Sequence, residues 1–271
     1  MSTPLYEYPR PLHRAKITAR PSASNKSPYL VDVILDDDPT QTPQIAHNPA
    51  LLCGGRLDKG ATIYVMHAPP ESKGLSKYLV MLLEAEDTLI MTNTQYGNQI
   101  ASEIIKQGYL GWIPQTLKAE QTHGESRFDF GGSVASPLNG SLSQREQGND
   151  FGGQVDKESF FIEVKSAPLL DTDGKAAIFP VGNRKHKADD PVSPRAVKHA
   201  EHLTALASTY KTALMYIAMR PDPTHFQISQ RDNTYNAAIR KAHAAGVNLY
   251  AFSVRPTTEG VYFEKALDVH I

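Results

Sequence analysis

Apolar residues in the first 92 positions come in short aliphatic or β-branched runs, at 29–35 (YLVDVIL), 61–67 (ATIYVMH), 77–83 (KYLVMLL) and 88–91. Clusters of Pro, Ser, Asp and Gly at 22–27, 36–43 and 69–74 separate them. Runs of this length between such clusters predict strands joined by turns. Four or five strands with no helical period predict a small barrel or sandwich, and the pattern alone does not choose between them.

The period changes after 92. Asn93 or Thr94 can cap a helix carrying Ile100, Ala101, Ile104 and Ile105 and stopping at Gly108. Strands are predicted at 126–130, 159–166 and 178–179. Ser193 followed by Pro194 marks a helix start, with Val197, Ala200, Leu203, Ala207 and Tyr210 on its apolar face. A strand at 213–219 (ALMYIAM), a helix over 232–245 ending at Gly246 and a final strand at 247–254 complete the pattern. This order predicts an α/β core with a mixed sheet, and so two domains, 1–92 and 93–271. Two stretches fit no regular element. Residues 131–158 are rich in Gly, Ser, Asn and Gln, and 182–191 (GNRKHKADDP) is a charged loop with Arg184, Lys185, His186 and Lys187.

Composition narrows the partners. The net charge of −1 provides no global field toward nucleic acid or anionic membrane, so any such binding needs a local basic face. The single cysteine, Cys53, excludes an intrachain disulfide and a multi-cysteine zinc site, and fits a reducing compartment. No run approaches the roughly 18 apolar residues of a membrane helix, and the N-terminus has no apolar signal core. A cytoplasmic protein is expected.

The chemistry concentrates in SRFDF at 126–130 and FFIEVK at 160–165. Side chains alternate along a strand, so Glu163 and Lys165 share a face opposite Ile162 and Val164. A carboxylate and a lysine on one strand, with Asp129 on its partner, form an arrangement used in metal-assisted phosphodiester hydrolysis. A cross-strand salt bridge on a solvated face is the competing explanation. Arg195, Lys198, His199 and His202, spaced i, i+3, i+4, i+7, are expected on one stripe away from the apolar face of their helix. That stripe could contact phosphates, helped by the helix N-terminus, or be a solvated surface.

GESRFDF, FIEVKS, NTQYGNQIASEIIKQG, FP followed by SPRAVKHAEHL, MRPD and AGVNLYAF follow one another in an order that resembles the sugar fermentation stimulation protein (SfsA) family. The resemblance runs from about residue 12 to near the C-terminus. It implies an α/β (α+β) chain with an N-terminal OB-like β-barrel, then a C-terminal mixed-sheet domain similar to the PD-(D/E)xK nucleases. It also implies Asp129, Glu163 and Lys165 as catalytic residues, and Asp129 and Glu163 with Glu103 around Mg²⁺ or Mn²⁺. Arg127, Arg195, Lys198 and His199 become expected contacts to nucleic acid or phosphate. Two departures stand out. Ala50 takes the place of an asparagine in the family's His-Cys-Pro-Asn-x-Gly-Arg pattern, and Val181 that of an acidic residue after Phe-Pro.

The leading expectation is therefore a DNA-binding, nuclease-like protein with a divalent-metal site. The alternatives are a catalytically silent DNA-binding regulator linked to sugar metabolism, and a phosphate-ligand binder, which the near-neutral charge favours slightly.

Overall fold

The computed structural model describes residues 3–50, 53–72, 74–85, 87–134, 159–182 and 191–271. Most of 131–158 and of 182–191 thus lies outside the described residues. In chain order the strands are β1 (Tyr6–Glu7), β2 (Leu12–Ala19), β3 (Leu30–Leu35), β4 (Gln44–His47), β5 (Thr62–His67), β6 (Tyr78–Ala85) and β7 (Thr88–Met91). A 3₁₀ turn at Thr94–Tyr96 leads into α1 (Gly97–Lys106), followed by β8 (Pro114–His123), β9 (Ser126–Val134), β10 (Ser159–Ala167) and β11 (Ala176–Phe179). The chain closes with α2 (Pro194–Leu206), β12 (Lys211–Ala218), β13 (His225–Ile228), α3 (Asn233–Ala244), β14 (Asn248–Pro256), β15 (Gly260–Leu267) and β16 (Val269–His270).

Strands β2 to β6 close into a five-stranded barrel because β4, at one end of the order β4-β3-β2-β5-β6, also pairs with β6. This is the OB-like arrangement the resemblance implies, and it resolves the barrel-or-sandwich choice. Two of its strands, β2 and β4, are polar enough to have escaped the apolar-run criterion.

The second unit is built on a seven-stranded sheet, β1-β15-β14-β12-β10-β9-β8. Its centre, β10-β12-β14, is parallel and its flanks are antiparallel. Strict alternation sorts the central strands. Phe160, Ile162, Val164, Ala213, Met215 and Ile217 enter the core under α1, while Leu214, Tyr216, Ala218 and Ala167 enter the core under α2 and α3. A small parallel sheet, β11-β13-β16, joins the second core through Ala177, Phe226 and Ile228. The strand at 247–254 is not the last, as the sequence pattern suggests. Strand β15 follows and pairs antiparallel with it, its pattern blurred by the charged Glu264 and Lys265.

A boundary at 92/93 falls between β7 and the 3₁₀ turn, yet the units share a core. Met66, Met81 and Leu82 from barrel strands and Met91 from β7 pack with Ile100, Ile104 and Phe160. Met91 N also donates to Met219 O at 2.8 Å, and β1 pairs with β15 on the far edge of the large sheet. Gly97 lets α1 approach closely: a Cβ there would stand 2.5 Å from Ser166 Oγ. Burial of this shared core should make unfolding cooperative. Ile104→Ala, at a fully buried position, is expected to cost about 2–5 kcal/mol in urea unfolding. Fluorescence of the single tryptophan, Trp112, and far-UV circular dichroism should shift together. Two separated transitions would show that the shared core does not couple the units.

Candidate active site

Strands β9 and β10 pair from Ser133/Ser159 to Phe130/Ile162 and then part, while β9 continues along β8. The next residues in register are Asp129 and Glu163, so the two carboxyls come near each other where the ladder ends, close enough for the Glu163 charge to act on Asp129. Asp129 Oδ2 takes the Val164 N–H at 2.8 Å, and Oδ1 accepts from Asn98 Nδ2 of α1 at 2.8 Å. The split therefore leaves no orphan donor at Val164, because a side chain replaces the missing strand.

Glu163 lies deeper, with a side chain 3% exposed. Its Oε1 accepts from Lys165 Nζ and from His199 Nδ1. Its Oε2 is buried with no hydrogen-bond partner. Burial pushes the Glu163 pKa upward, but the His199 hydrogen bond and the Lys165 charge outweigh it and hold the carboxyl below its usual 4.5. The Asp129 pKa moves the other way. Burial and the neighbouring Glu163 charge raise it above 3.8 against the opposing pull of Val164 N–H, Asn98 and Lys165. The environment thus separates two carboxyls of similar intrinsic acidity. Behind Glu163, Tyr216 and Tyr235 share a hydrogen bond of 2.8 Å. Burial raises both their pKa values, and that of Tyr235 is raised further by Tyr216 and by the Glu163 charge.

The structure gathers Asp129, Glu163, Lys165 and His199, and it separates the other expected residues. Glu103 pairs with Lys106 at 2.6 Å and lines a cleft of about 440 Å³ with Thr3, Leu5 and Tyr6. The α1 residue against Asp129 is Asn98. Its spacing from Ala101 and Ile105 (i+3, i+7) places it on the buried stripe and could have revealed it. Arg127 is exposed and paired with Glu120 at 2.9 Å. Among the described residues, no group of three or more His, Cys, Asp or Glu side chains is placed to hold a metal.

The expected basic stripe on α2 divides. Arg195 and Lys198 are exposed, but His199 is buried together with Ala196, Ala200 and Leu203. His202 Nδ1 meets Ser126 Oγ. The face turned to the sheet is thus centred on Ala196, His199, Ala200 and Leu203 rather than on Val197 and Tyr210, because Glu163 and Ser126 offer the two histidines polar partners there. The cluster 184–187 lies outside the described residues.

A family model described as the sugar fermentation stimulation protein RE domain matches residues 95–260. The chain is 30% identical over 217 residues to a sugar fermentation stimulation protein homolog of Carboxydothermus hydrogenoformans, covering 79% of this chain and 80% of that one. The chain belongs to the SfsA family. A second SfsA homolog, from Rhodospirillum centenum, is 27% identical over 265 residues, covering 96% of this chain and 97% of that one. The solved structure of Pyrococcus furiosus SfsA in complex with Ca²⁺ matches with a TM-score of 0.72 at 20% identity, over 99% of this chain and 100% of that one. At that identity the likeness shows the fold: an SfsA barrel joined to a mixed sheet. Among the described residues no helix is long and apolar enough to cross a membrane.

The opposed pKa shifts set a stability test. A carboxyl whose folded pKa is raised contributes stability that is complete below its unfolded value and lost as pH rises through the folded value. Ionised Asp129 is therefore a cost at pH 7 in the absence of divalent cations. Asp129→Asn keeps an acceptor for Val164 N–H and can pair with Asn98 after an amide flip. It is expected to melt at or above the wild-type temperature at pH 7 in EDTA, with the difference closing below pH 3.8. A clear loss of stability at pH 7 would show that the negative charge itself holds the strands. Glu163 has the opposite sign: its depressed pKa contributes stability above 4.5 that is lost as pH falls through the folded value.

Proposed function

We propose that this SfsA-family chain is a DNA-binding, nuclease-like protein in which Asp129 and Glu163 hold Mg²⁺ or Mn²⁺ and Lys165 serves the water attacking a phosphodiester. The observation carrying this is Glu163 Oε2, a buried carboxylate oxygen without a hydrogen-bond partner, on a side chain whose charge acts on the neighbouring Asp129 carboxyl. Leaving such an atom unsatisfied is costly, and a cation removes both that cost and the repulsion between the carboxylates. Two carboxylates are a sufficient donor set, since Mg²⁺ usually takes one or two and completes its shell with waters and substrate phosphate. The Pyrococcus relative in complex with Ca²⁺ supports the reading, as Ca²⁺ and Mg²⁺ both take hard oxygen ligands. When bound, the cation supplies Lewis-acid stabilisation of charge on the phosphate.

The protein's own groups do the rest. Asp129 is held in place before any cation arrives, by Val164 N–H on one oxygen and Asn98 on the other. The Lys165 ammonium, 13% exposed and anchored on Glu163 Oε1, is the one cation that β10 itself brings to the pair. There it can orient a water and balance negative charge as it develops. Arg195, exposed at the start of α2, reaches toward Glu163, since its Nε touches His199 Nε2 at 3.5 Å, and Lys198 is exposed about one turn further along the same helix. They would hold phosphates without reading bases.

The test is cleavage of supercoiled and single-stranded DNA with Mg²⁺ or Mn²⁺, with EDTA and RNA controls. Lys165→Ala is expected to abolish cleavage while leaving DNA affinity nearly unchanged, the pattern of a residue needed mainly in the transition state. Undiminished cleavage by that variant would sink the mechanism. Wild type that binds DNA without cutting it under either cation would favour the silent regulator. A separate measurement addresses the basic face. Arg195→Ala and Lys198→Ala should each weaken binding about equally on unrelated sequences and flatten its salt dependence by roughly one charge. Unchanged affinity and slope would make α2 a solvated surface.

A further inference from the structure

We propose that His199 is a positioning residue for the Glu163 carboxylate: held by Arg195 in its neutral, Nδ1-protonated form, it fixes Oε1 and leaves Oε2 turned to the cation place beside Asp129. The proposal rests on the metal-site reading above. It adds a residue that contacts neither cation nor nucleic acid, and it replaces the phosphate contact expected of His199 from the sequence.

Two contacts of opposite kind specify the ring. Its side chain is 9% exposed, and Nδ1 meets Glu163 Oε1. An ionised carboxylate only accepts, so Nδ1 carries the proton. On the other side Arg195 Nε donates to Nε2 at 3.5 Å. A guanidinium only donates, so Nε2 presents its lone pair. A proton on Nε2 would set an N–H against the guanidinium, and if Nδ1 carried none it would also leave the Glu163 contact without a hydrogen.

The consequence for Glu163 lies in which oxygen is taken. Lys165 binds the same Oε1 as His199, so both donors act on one oxygen and the other has no partner. An oxygen that accepts no hydrogen bond keeps both lone pairs for a cation, so Oε2 can take one without competing with either donor on Oε1. Lys165 sits on a flexible four-carbon stem and cannot by itself fix the carboxylate plane. The histidine ring can, because it lies in the buried stripe of α2 with Ala196, Ala200 and Leu203. Outer partners of this kind set the orientation of a metal ligand.

The experiment is Mn²⁺ titration calorimetry on the metal-free full chain, comparing wild type, His199→Phe and His199→Asn, with circular dichroism to check folding. Phenylalanine keeps a ring without a donor, and asparagine carries an amide N–H near the Nδ1 place. His199→Phe is expected to lose about 10–100-fold in Mn²⁺ affinity, and His199→Asn to recover most of it. Should the phenylalanine variant not fold, His199→Gln takes its part, since its amide reaches toward the Nε2 place and should also lose affinity. In parallel, ¹H–¹⁵N spectra of ring-labelled, metal-free wild type should show His199 protonated at Nδ1 and not at Nε2. Equal affinity in wild type and His199→Phe, equal losses in the Phe and Asn variants, or a ring protonated at Nε2 would each overturn the proposal while leaving the metal site standing. Wild type that binds no Mn²⁺ at all would remove the metal-site reading and this proposal with it.

Discussion

Two strands stop pairing at one position, and the candidate site is built in that opening. Past Phe130 and Ile162 the β9–β10 ladder ends, and Val164 N–H would be buried without a partner. Asp129 takes that donor with one oxygen and Asn98 with the other. The split is thus a stable feature of the sheet, since the donor it frees at Val164 finds a side chain. It also brings a second carboxylate beside Glu163, an arrangement that burial makes unfavourable unless opposite charge is near. Lys165 meets that requirement, and His199 adds a hydrogen bond, on one oxygen of Glu163 only. The second oxygen keeps the site electrostatically incomplete.

The surrounding layers maintain this arrangement. Alternation along β10 sends Phe160, Ile162 and Val164 into the core shared with α1 and the barrel, which forces Glu163 and Lys165 toward α2. Asp232 caps α3 through Tyr235 N at 2.9 Å and also takes Val192 N at 2.7 Å, tying the entry of α2 to α3. The helix carrying His199 is therefore held at its start and along its buried stripe. Because the barrel contributes Met66, Met81 and Leu82 to the same core as α1, its packing also bears on where Asn98 meets Asp129.

The near-neutral chain has little long-range attraction for a polyanion such as DNA. Arg195 and Lys198 are exposed on α2, and Arg195 Nε reaches the buried His199 that bonds Glu163. The fold persists at 20% identity to the Pyrococcus structure over nearly the whole chain.

Much of this was legible in the linear sequence because it depends on short-range periodicity. The runs at 29–35 and 77–83, the Ser193-Pro194 start and the Gly108 and Gly246 stops read directly as strands and helix ends. The period of two placed Glu163 and Lys165 on one face. Strands β2, β4, β8 and β15 were not legible, since they are polar on much of their surface and owe their pairing to distant partners. The α2 surface shows the same limit at the site. Spacing groups Arg195, Lys198, His199 and His202 on one stripe, but only the packed sheet decides that His199 and His202 turn inward, because Glu163 and Ser126 wait there to bond them. Likewise Glu103 and Asn98 are both polar residues on α1, and the angle at which that helix meets β9 selects Asn98. Local residue order determined the elements and the candidate chemistry. Which side chains meet was decided by tertiary packing, because a buried polar group takes whatever partner the fold brings within hydrogen-bond reach.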